Sequence, residues 1–217
     1  MILFLFFLFF VGLVFGSFVS ALSWRMAKGI SIAKGRSICP KCKHQITWYD
    51  NIPLVSYVIL RGKCRNCRKH ISLRYPLIEL SSGTGFVLIY LFSDIQDPIL
   101  YVLAAIIFLV LLIIFVIDLE HQIIPDSLVF TGVAVSFLYY LFYNPGTLSS
   151  SLLSGFAAAS FLLVIHLVTK GRGMGLGDVK FAIFGGMVVG MKLLPTWLFL
   201  SFLTGAIAGI ILILTGK

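Results

Sequence analysis

Asp118 and Asp178 are the residues of this chain best suited to hydrolytic chemistry. The first opens the segment Asp118-Leu119-Glu120-His121-Gln122-Ile123-Ile124-Pro125-Asp126, and the second closes Gly175-Leu176-Gly177-Asp178. Each stands where an apolar run meets a polar loop, and a carboxylate near a membrane interior is costly enough to point to function. Two aspartates brought close cannot both ionise cheaply, so they share a proton. One then polarises a peptide carbonyl while the other deprotonates a water held between them. Such a pair titrates as a unit, so neither member is assigned acid or base alone. No serine triad, cysteine nucleophile or open metal site offers a better hydrolytic apparatus in this chain.

Each carboxylate also has a plainer reading. Asp118 follows Phe115-Val116-Ile117, and burial against such neighbours is expected to disfavour its ionised form. Asp178 begins a helix, where an N-terminal cap competes on equal terms with catalysis, although the two glycines before it permit the close backbone approach that an extended peptide needs. Asp126, beside Pro125, reads as a helix start. Glu120 and His121 read as solvated turn residues.

The second chemistry-bearing group is Cys39-Pro40-Lys41-Cys42 with Cys64-Arg65-Asn66-Cys67, separated by 21 residues. Paired knuckles at this spacing bring four thiolates to one zinc ion, and four protein ligands close the coordination shell, making the metal structural. Disulfides, an iron–sulfur centre or vacant thiols are the alternatives. His44 and His70 are left as solvated. Between the knuckles, Trp48, Tyr49, Ile52, Pro53 and Tyr57 supply core to a small module or the walls of a small-molecule pocket. Asp50, a lone acid in a basic loop, pairs with a neighbouring Arg or Lys, or else contacts a cationic ligand.

The elements that must position these groups follow from composition. With 217 residues, 59% of them hydrophobic and 12% charged, and a mean hydropathy of +1.06, the chain is too apolar for a soluble globule. Seven windows are long enough to cross a bilayer as helices: residues 1–23, 77–93, 99–117, 127–143, 150–168, 179–195 and 196–214. The expected fold is therefore an all-α polytopic membrane protein of about seven transmembrane helices, with a small cytoplasmic zinc-binding loop. Glycines at 12, 16, 185, 186 and 190 point to close helix packing. The first window lacks a preceding positive charge and a small-residue cleavage site, and reads as a retained helix.

Twelve of the 17 Lys and Arg residues lie between Arg25 and Arg74, which sets that loop on the cytoplasmic side and the N-terminus outside. By parity, 93–98 and 144–149 are outside, while 118–126 and 169–178, which carry both acidic motifs, are inside. Lys170, Arg172 and Lys217 agree. The basic loop is read as a topology signal facing the lipid bilayer, not as a nucleic-acid surface.

These residues resemble the type IV prepilin leader peptidases, bifunctional bacterial membrane enzymes that are also N-methyltransferases. The likeness covers nearly the whole chain: Gly16-Ser17-Phe18 with Arg25, both knuckles, Trp48 to Pro53, Arg61 to Arg65, Arg74-Tyr75-Pro76 with Glu79, Asp118 with Ile124-Pro125-Asp126, and Gly175 to Lys180. The resemblance implies that Asp118 and Asp178 are the catalytic pair and that the substrates are prepilins or pseudopilins, cleaved after a glycine at the cytoplasmic membrane surface. It further implies methylation of the new N-terminal amine from S-adenosyl-L-methionine, with the zinc loop serving that step. Asp50 and Glu79 are the candidate methyl-donor contacts, Glu79 competing with a simpler role as an acid favoured by a helix N-terminus.

Two departures stand out. Ser20 occupies a position where the family usually has Asn, and the family usually carries one more apolar segment after a Gly-Lys such as Gly216-Lys217. The implied organisation is a first helix over 1–24, a zinc loop over 25–76 and a peptidase domain over 77–217. A peptidase without methylation, a membrane transporter and a zinc-containing scaffold are the rival functions. Transport sites belong near mid-membrane, whereas these aspartates sit at helix ends.

Overall fold

The computed structural model describes residues 1–31, 35, 37–92 and 97–215. Lys34 and Arg36 of the basic loop, residues 93–96 of the expected outer turn, Gly216 and Lys217 lie outside that set. Among the described residues there are eight α-helices, a 3₁₀ turn at Trp48–Asn51 and no strand, the all-α class that the hydropathy pattern predicts. Six of these helices are long and apolar enough to cross a bilayer, so the chain is a multi-pass membrane protein. It divides into two compact units, Met1–Ile123 and Ile124–Lys217.

The first unit holds α1 (Ile2–Ala27), α2 (Val55–Ile59), α3 (Arg74–Phe92) and α4 (Pro98–His121). Along α1, the buried positions Leu8, Gly12, Leu13, Gly16, Val19, Ser20 and Ser23 form one stripe at helical spacing. Gly12 and Gly16 let α3 approach closely. A Cβ on Gly12 would stand 2.7 Å from the Ser82 carbonyl oxygen, and one on Gly16 would stand 2.7 Å from Glu79 Cα. In lipid, where helix association lacks a water-driven term, this small-xxx-small approach is what packing requires. The phenylalanines on the other faces of α1, Phe6, Phe7 and Phe10 among them, are exposed, as suits a lipid-facing surface. Helix α4 starts on a proper cap: Asp97 Oδ1 accepts from Ile99 N–H at 2.8 Å, with Pro98 at the first turn. It ends at Gln122, whose φ of +54° is left-handed.

The second unit holds α5 (Asp126–Tyr143), α6 (Pro145–Val168), α7 (Leu176–Val189) and α8 (Leu194–Leu214). Helices α6 and α7 meet through small residues: a Cβ on Gly186 would lie 2.8 Å from the Ser154 carbonyl oxygen, and one on Gly155 would lie 2.6 Å from that of Ile183. Ala158 and Ala182, both fully buried, complete this contact within a core that includes Leu162 and Val179. On the α5 side, Gly132 makes room for the ring of Phe184.

One expected span takes a different form. The window 179–195 is realised as the 14-residue α7, about 21 Å long at 1.5 Å per residue, against a hydrocarbon core of about 30 Å. The helix stops at Gly190, whose φ of +75° leaves the helical region. Stopping there strands carbonyls of the last turn, and two side chains meet that need. Tyr140 Oη and Ser151 Oγ both donate to the Met187 carbonyl, at 3.1 and 2.7 Å. Helix termini within a membrane protein persist only where such partners exist.

Candidate functional site

The two cysteine knuckles fold as copies of one another. Cys39 N–H donates to the His44 carbonyl at 2.9 Å and Cys64 N–H to that of Lys69 at 2.9 Å. Lys43 N–H returns to Cys39 O at 2.8 Å and Arg68 N–H to Cys64 O at 2.9 Å. The residue after the second cysteine is left-handed in both, with φ of +58° at Lys43 and at Arg68. Matching bridges, Ile38 with Gln45 and Lys63 with His70, close each turn. All four cysteines are free, and their Sγ atoms lie within 4.8 Å of one another. Four thiolates around a zinc ion stand about 3.8 Å apart, given Zn–S bonds of about 2.3 Å, so the donor set fits.

The electrostatics of the cluster agree. Cys42 is drawn down to about 7, first by the backbone N–H of His44 and further by the neighbouring Cys39 and Cys67. Cys67 stays up at about 11: the Lys69 backbone N–H pulls it down, but burial and the three neighbouring cysteines outweigh that pull. Sulfurs this close share negative charge poorly unless a cation sits among them.

Asp50 is held by Arg65 in a forked pair, with Nε–Oδ2 at 2.8 Å and Nη2–Oδ1 at 2.7 Å, and by the Thr47 hydroxyl at 3.1 Å. The guanidinium keeps its carboxyl below the ordinary range and also lies over the Tyr49 ring, 5.4 Å from its centroid. Of the two roles open to Asp50, the structure displays the ion pair. It ties the second knuckle to the 3₁₀ turn. Glu79 lies in the second turn of α3 and is 8% exposed, so it is not the exposed N-terminal acid that a dipole argument pictures. Its Oε2 accepts from Leu54 N–H at 2.9 Å. Leu54 has a φ of +58°, so the carboxylate pins a backbone conformation that a leucine seldom adopts.

Glu120 and Arg74 were not foreseen as a pair. Glu120 is exposed, as expected, but it belongs to the last turn of α4 and not to a connecting turn, and it forms an ion pair with Arg74 at the start of α3, whose Nη2 also donates to Ser23 Oγ at 2.7 Å. Arg74 is half-buried, and an arginine partly removed from water calls for such a partner, but nothing local names it. Ser20 is 2% exposed and its hydroxyl has no hydrogen-bond partner among the described residues. Cys39 and Cys64 of the cysteine cluster, Asp50, Glu79, Arg74 and Glu120 all border one cavity of about 660 Å³ in the first unit.

Asp118 sits in the last turn of α4 and is exposed, while Val116 and Ile117 beside it are buried. The expected burial of this carboxylate is therefore not observed: the helix turns its apolar neighbours inward and Asp118 outward. In the second unit, Asp178 is half-buried in the first turn of α7, and its Oδ2 accepts from Gly175 N–H at 3.1 Å. The capping role is real, and it fixes the carboxyl orientation. Glycine at 175 leaves room for it, since a Cβ there would stand 3.0 Å from Oδ2. Asp126, the first residue of α5, makes no capping bond. It pairs with Lys180, 54 residues along the chain, a partner that no local pattern signals.

The family model described as "Bacterial Peptidase A24 N-terminal domain" matches residues 10–93, and that described as "Type IV leader peptidase family" matches residues 103–210. A Vibrio cholerae serotype O1 protein named prepilin leader peptidase/N-methyltransferase is 36% identical over 205 residues, covering 88% of this chain and 79% of that protein. This chain belongs to the type IV leader peptidase family. Relatives of the same name from Klebsiella pneumoniae and Bacillus subtilis (strain 168) are 35% and 33% identical, covering 90% and 97% of this chain and 89% and 84% of their own lengths. No solved structure matches the chain. Within the family assignment, the four cysteines and Glu79 fall in the N-terminal match, and Asp118 and Asp178 fall in the peptidase match.

Proposed function

We propose that this protein cleaves the leader peptides of prepilins and pseudopilins by an aspartyl mechanism, and then N-methylates the newly exposed amino terminus. The observation that carries the proposal is the match of both segments, in chain order, to the N-terminal and peptidase parts of one family. Asp118 and Asp178 are the catalytic pair in this reading. Their carboxyls share one proton. The ionised member takes a proton from water as it attacks the scissile carbonyl, and the protonated member donates to the carbonyl oxygen. Collapse of the tetrahedral species breaks the C–N bond, and the proton returned to the leaving nitrogen resets the pair. The Gly175 N–H bond to Asp178 supports this role by holding one oxygen of the carboxylate in place.

Cys39, Cys42, Cys64 and Cys67 hold one structural zinc in the same reading, which organises the loop and leaves no open coordination position. S-adenosyl-L-methionine supplies the methyl group, and the 25–76 loop serves that transfer. The orientation follows the charge asymmetry: N-terminus outside, with the loop and both aspartates at the cytoplasmic face. The domain plan is a first helix over 1–24, the zinc loop over 25–76 and the peptidase domain over 77–217.

The decisive experiment mixes purified protein, a prepilin and an isotopically labelled methyl donor, and weighs the products. A cleaved and methylated product supports the full reading. A cleaved, unmethylated product reduces it to a peptidase, and an intact precursor overturns it.

A further inference from the structure

Three carboxylates line the cavity of the first unit: Asp50, Glu79 and Glu120. Two are neutralised by their neighbours, Asp50 by Arg65 at 2.7 Å and Glu120 by Arg74. Glu79 differs. It is 8% exposed, and among the described residues it forms no ion pair. Its hydrogen-bond partner is a neutral donor, the Leu54 N–H at 2.9 Å. Removing a carboxylate from water is costly unless a cation answers it, and a neutral hydrogen bond offsets only part of that cost. A buried acid on the wall of a cavity, met by a neutral donor but not by charge, is complementary to a cationic ligand. Other features of the wall narrow the ligand's chemistry. Trp24 and Tyr49 border it with aromatic rings, each with a cation already over one face, Lys28 at 5.9 Å and Arg65 at 5.4 Å; Arg25, Lys28, Lys41 and Lys69 offer positive charge, and about 660 Å³ is within the range that holds a small organic cofactor.

We propose that this cavity binds the methyl donor and that Glu79 receives its positively charged sulfonium end. The assignment rests on the methyltransferase reading above and deepens it by naming the site. A sulfonium donor carries a positive charge at sulfur that its thioether product lacks, together with a purine ring and a carboxylate. Glu79 answers the first, the aromatic faces the second and the lysines the third. Loss of the sulfonium charge on methyl transfer removes the attraction to Glu79, so the same residue that favours donor binding also favours product release.

The test is direct binding to the full-length, zinc-loaded protein in detergent, by titration calorimetry with S-adenosylmethionine and separately with its neutral product, S-adenosylhomocysteine. Wild type is expected to bind the donor more tightly than the product. Glu79→Gln keeps an oxygen that accepts from Leu54 N–H but loses the charge, and is expected to weaken donor binding at least about tenfold while changing product binding much less. Glu79→Asp, which keeps the charge, is expected to retain the preference for donor over product. Equal weakening of both ligands in Glu79→Gln would assign Glu79 to bracing the Leu54 turn and overturn the proposal. A wild-type protein that binds both ligands with no preference for the donor would overturn it without any variant. A wild-type protein that binds neither would overturn the methyltransferase reading itself.

Discussion

Lys180 Nζ donates to both carboxylate oxygens of Asp126, at 2.9 and 2.8 Å, joining the start of the second turn of α7 to the first residue of α5. The pair lies one helical residue beyond Val179 from Asp178, so it braces the segment that carries a proposed catalytic carboxylate. Its side chains are 47% and 55% exposed, and exposed ion pairs of this kind contribute little. Asp126→Asn is therefore expected to keep prepilin processing within about threefold of wild type. Asp126→Lys places like charges together and is expected to lower the melting temperature, with recovery in the Asp126→Lys/Lys180→Asp double variant. Processing rates and thermal melts of the four proteins check this; no recovery in the double variant would rule out the pair as a brace.

Asp118→Asn and Asp178→Asn are each expected to reduce cleavage to near background at normal membrane abundance. Asparagine preserves size, and at 178 its side-chain oxygen can still accept from the N–H of the N-cap residue Gly175, as Gln does in place of Glu in a capping box. What it cannot do is take a proton from water. Capping alone would thus leave Asp178→Asn active, and this variant separates the two roles. The double variant is expected to be little worse than either single one, since paired groups act as a unit.

Metal analysis of the purified protein is expected to find about one equivalent of zinc, sharply reduced by Cys39→Ser or Cys64→Ser. One cysteine from each knuckle is chosen because the two turns are built alike and contribute equally. Full zinc occupancy in both variants would exclude the four-sulfur site. Chelation of wild type is expected to loosen the loop first, read as protease sensitivity between Ile38 and Ile71 before any change in helix content.

Gly186→Ala tests the α6–α7 contact. The added Cβ would stand 2.8 Å from the Ser154 carbonyl and 2.9 Å from Gly155 Cα, both backbone atoms that cannot turn aside. Forcing the helices apart is expected to cost about 1–3 kcal/mol. Gly209→Ala, with open space around it, serves as the control. Equal melting temperatures for the two variants would show that α6 and α7 are not held in this close packing.

By itself the sequence determined the membrane class, six of the seven expected spans, the four-cysteine cluster and the placement of Asp118 and Asp178 at helix ends. Each of these is a local or compositional signal: apolar runs of bilayer length, a Cys-x-x-Cys spacing, a polar residue at the edge of an apolar run. The tertiary structure decided what depends on distant parts of the chain. Helix α7 ends at Gly190 because Tyr140 and Ser151, from α5 and α6, take up the Met187 carbonyl; the hydropathy of 179–195 contains no trace of those partners. Glu79 meets Leu54 N–H, Arg74 meets Glu120, and Lys180 meets Asp126. In each case a charge that is unremarkable among its sequence neighbours acquires its role only when helix packing delivers a partner far along the chain. Exposure of Asp118 belongs to the same class: its apolar neighbours Val116 and Ile117 turn inward, and helix rotation, which no local pattern specified, sets the carboxylate on the open side.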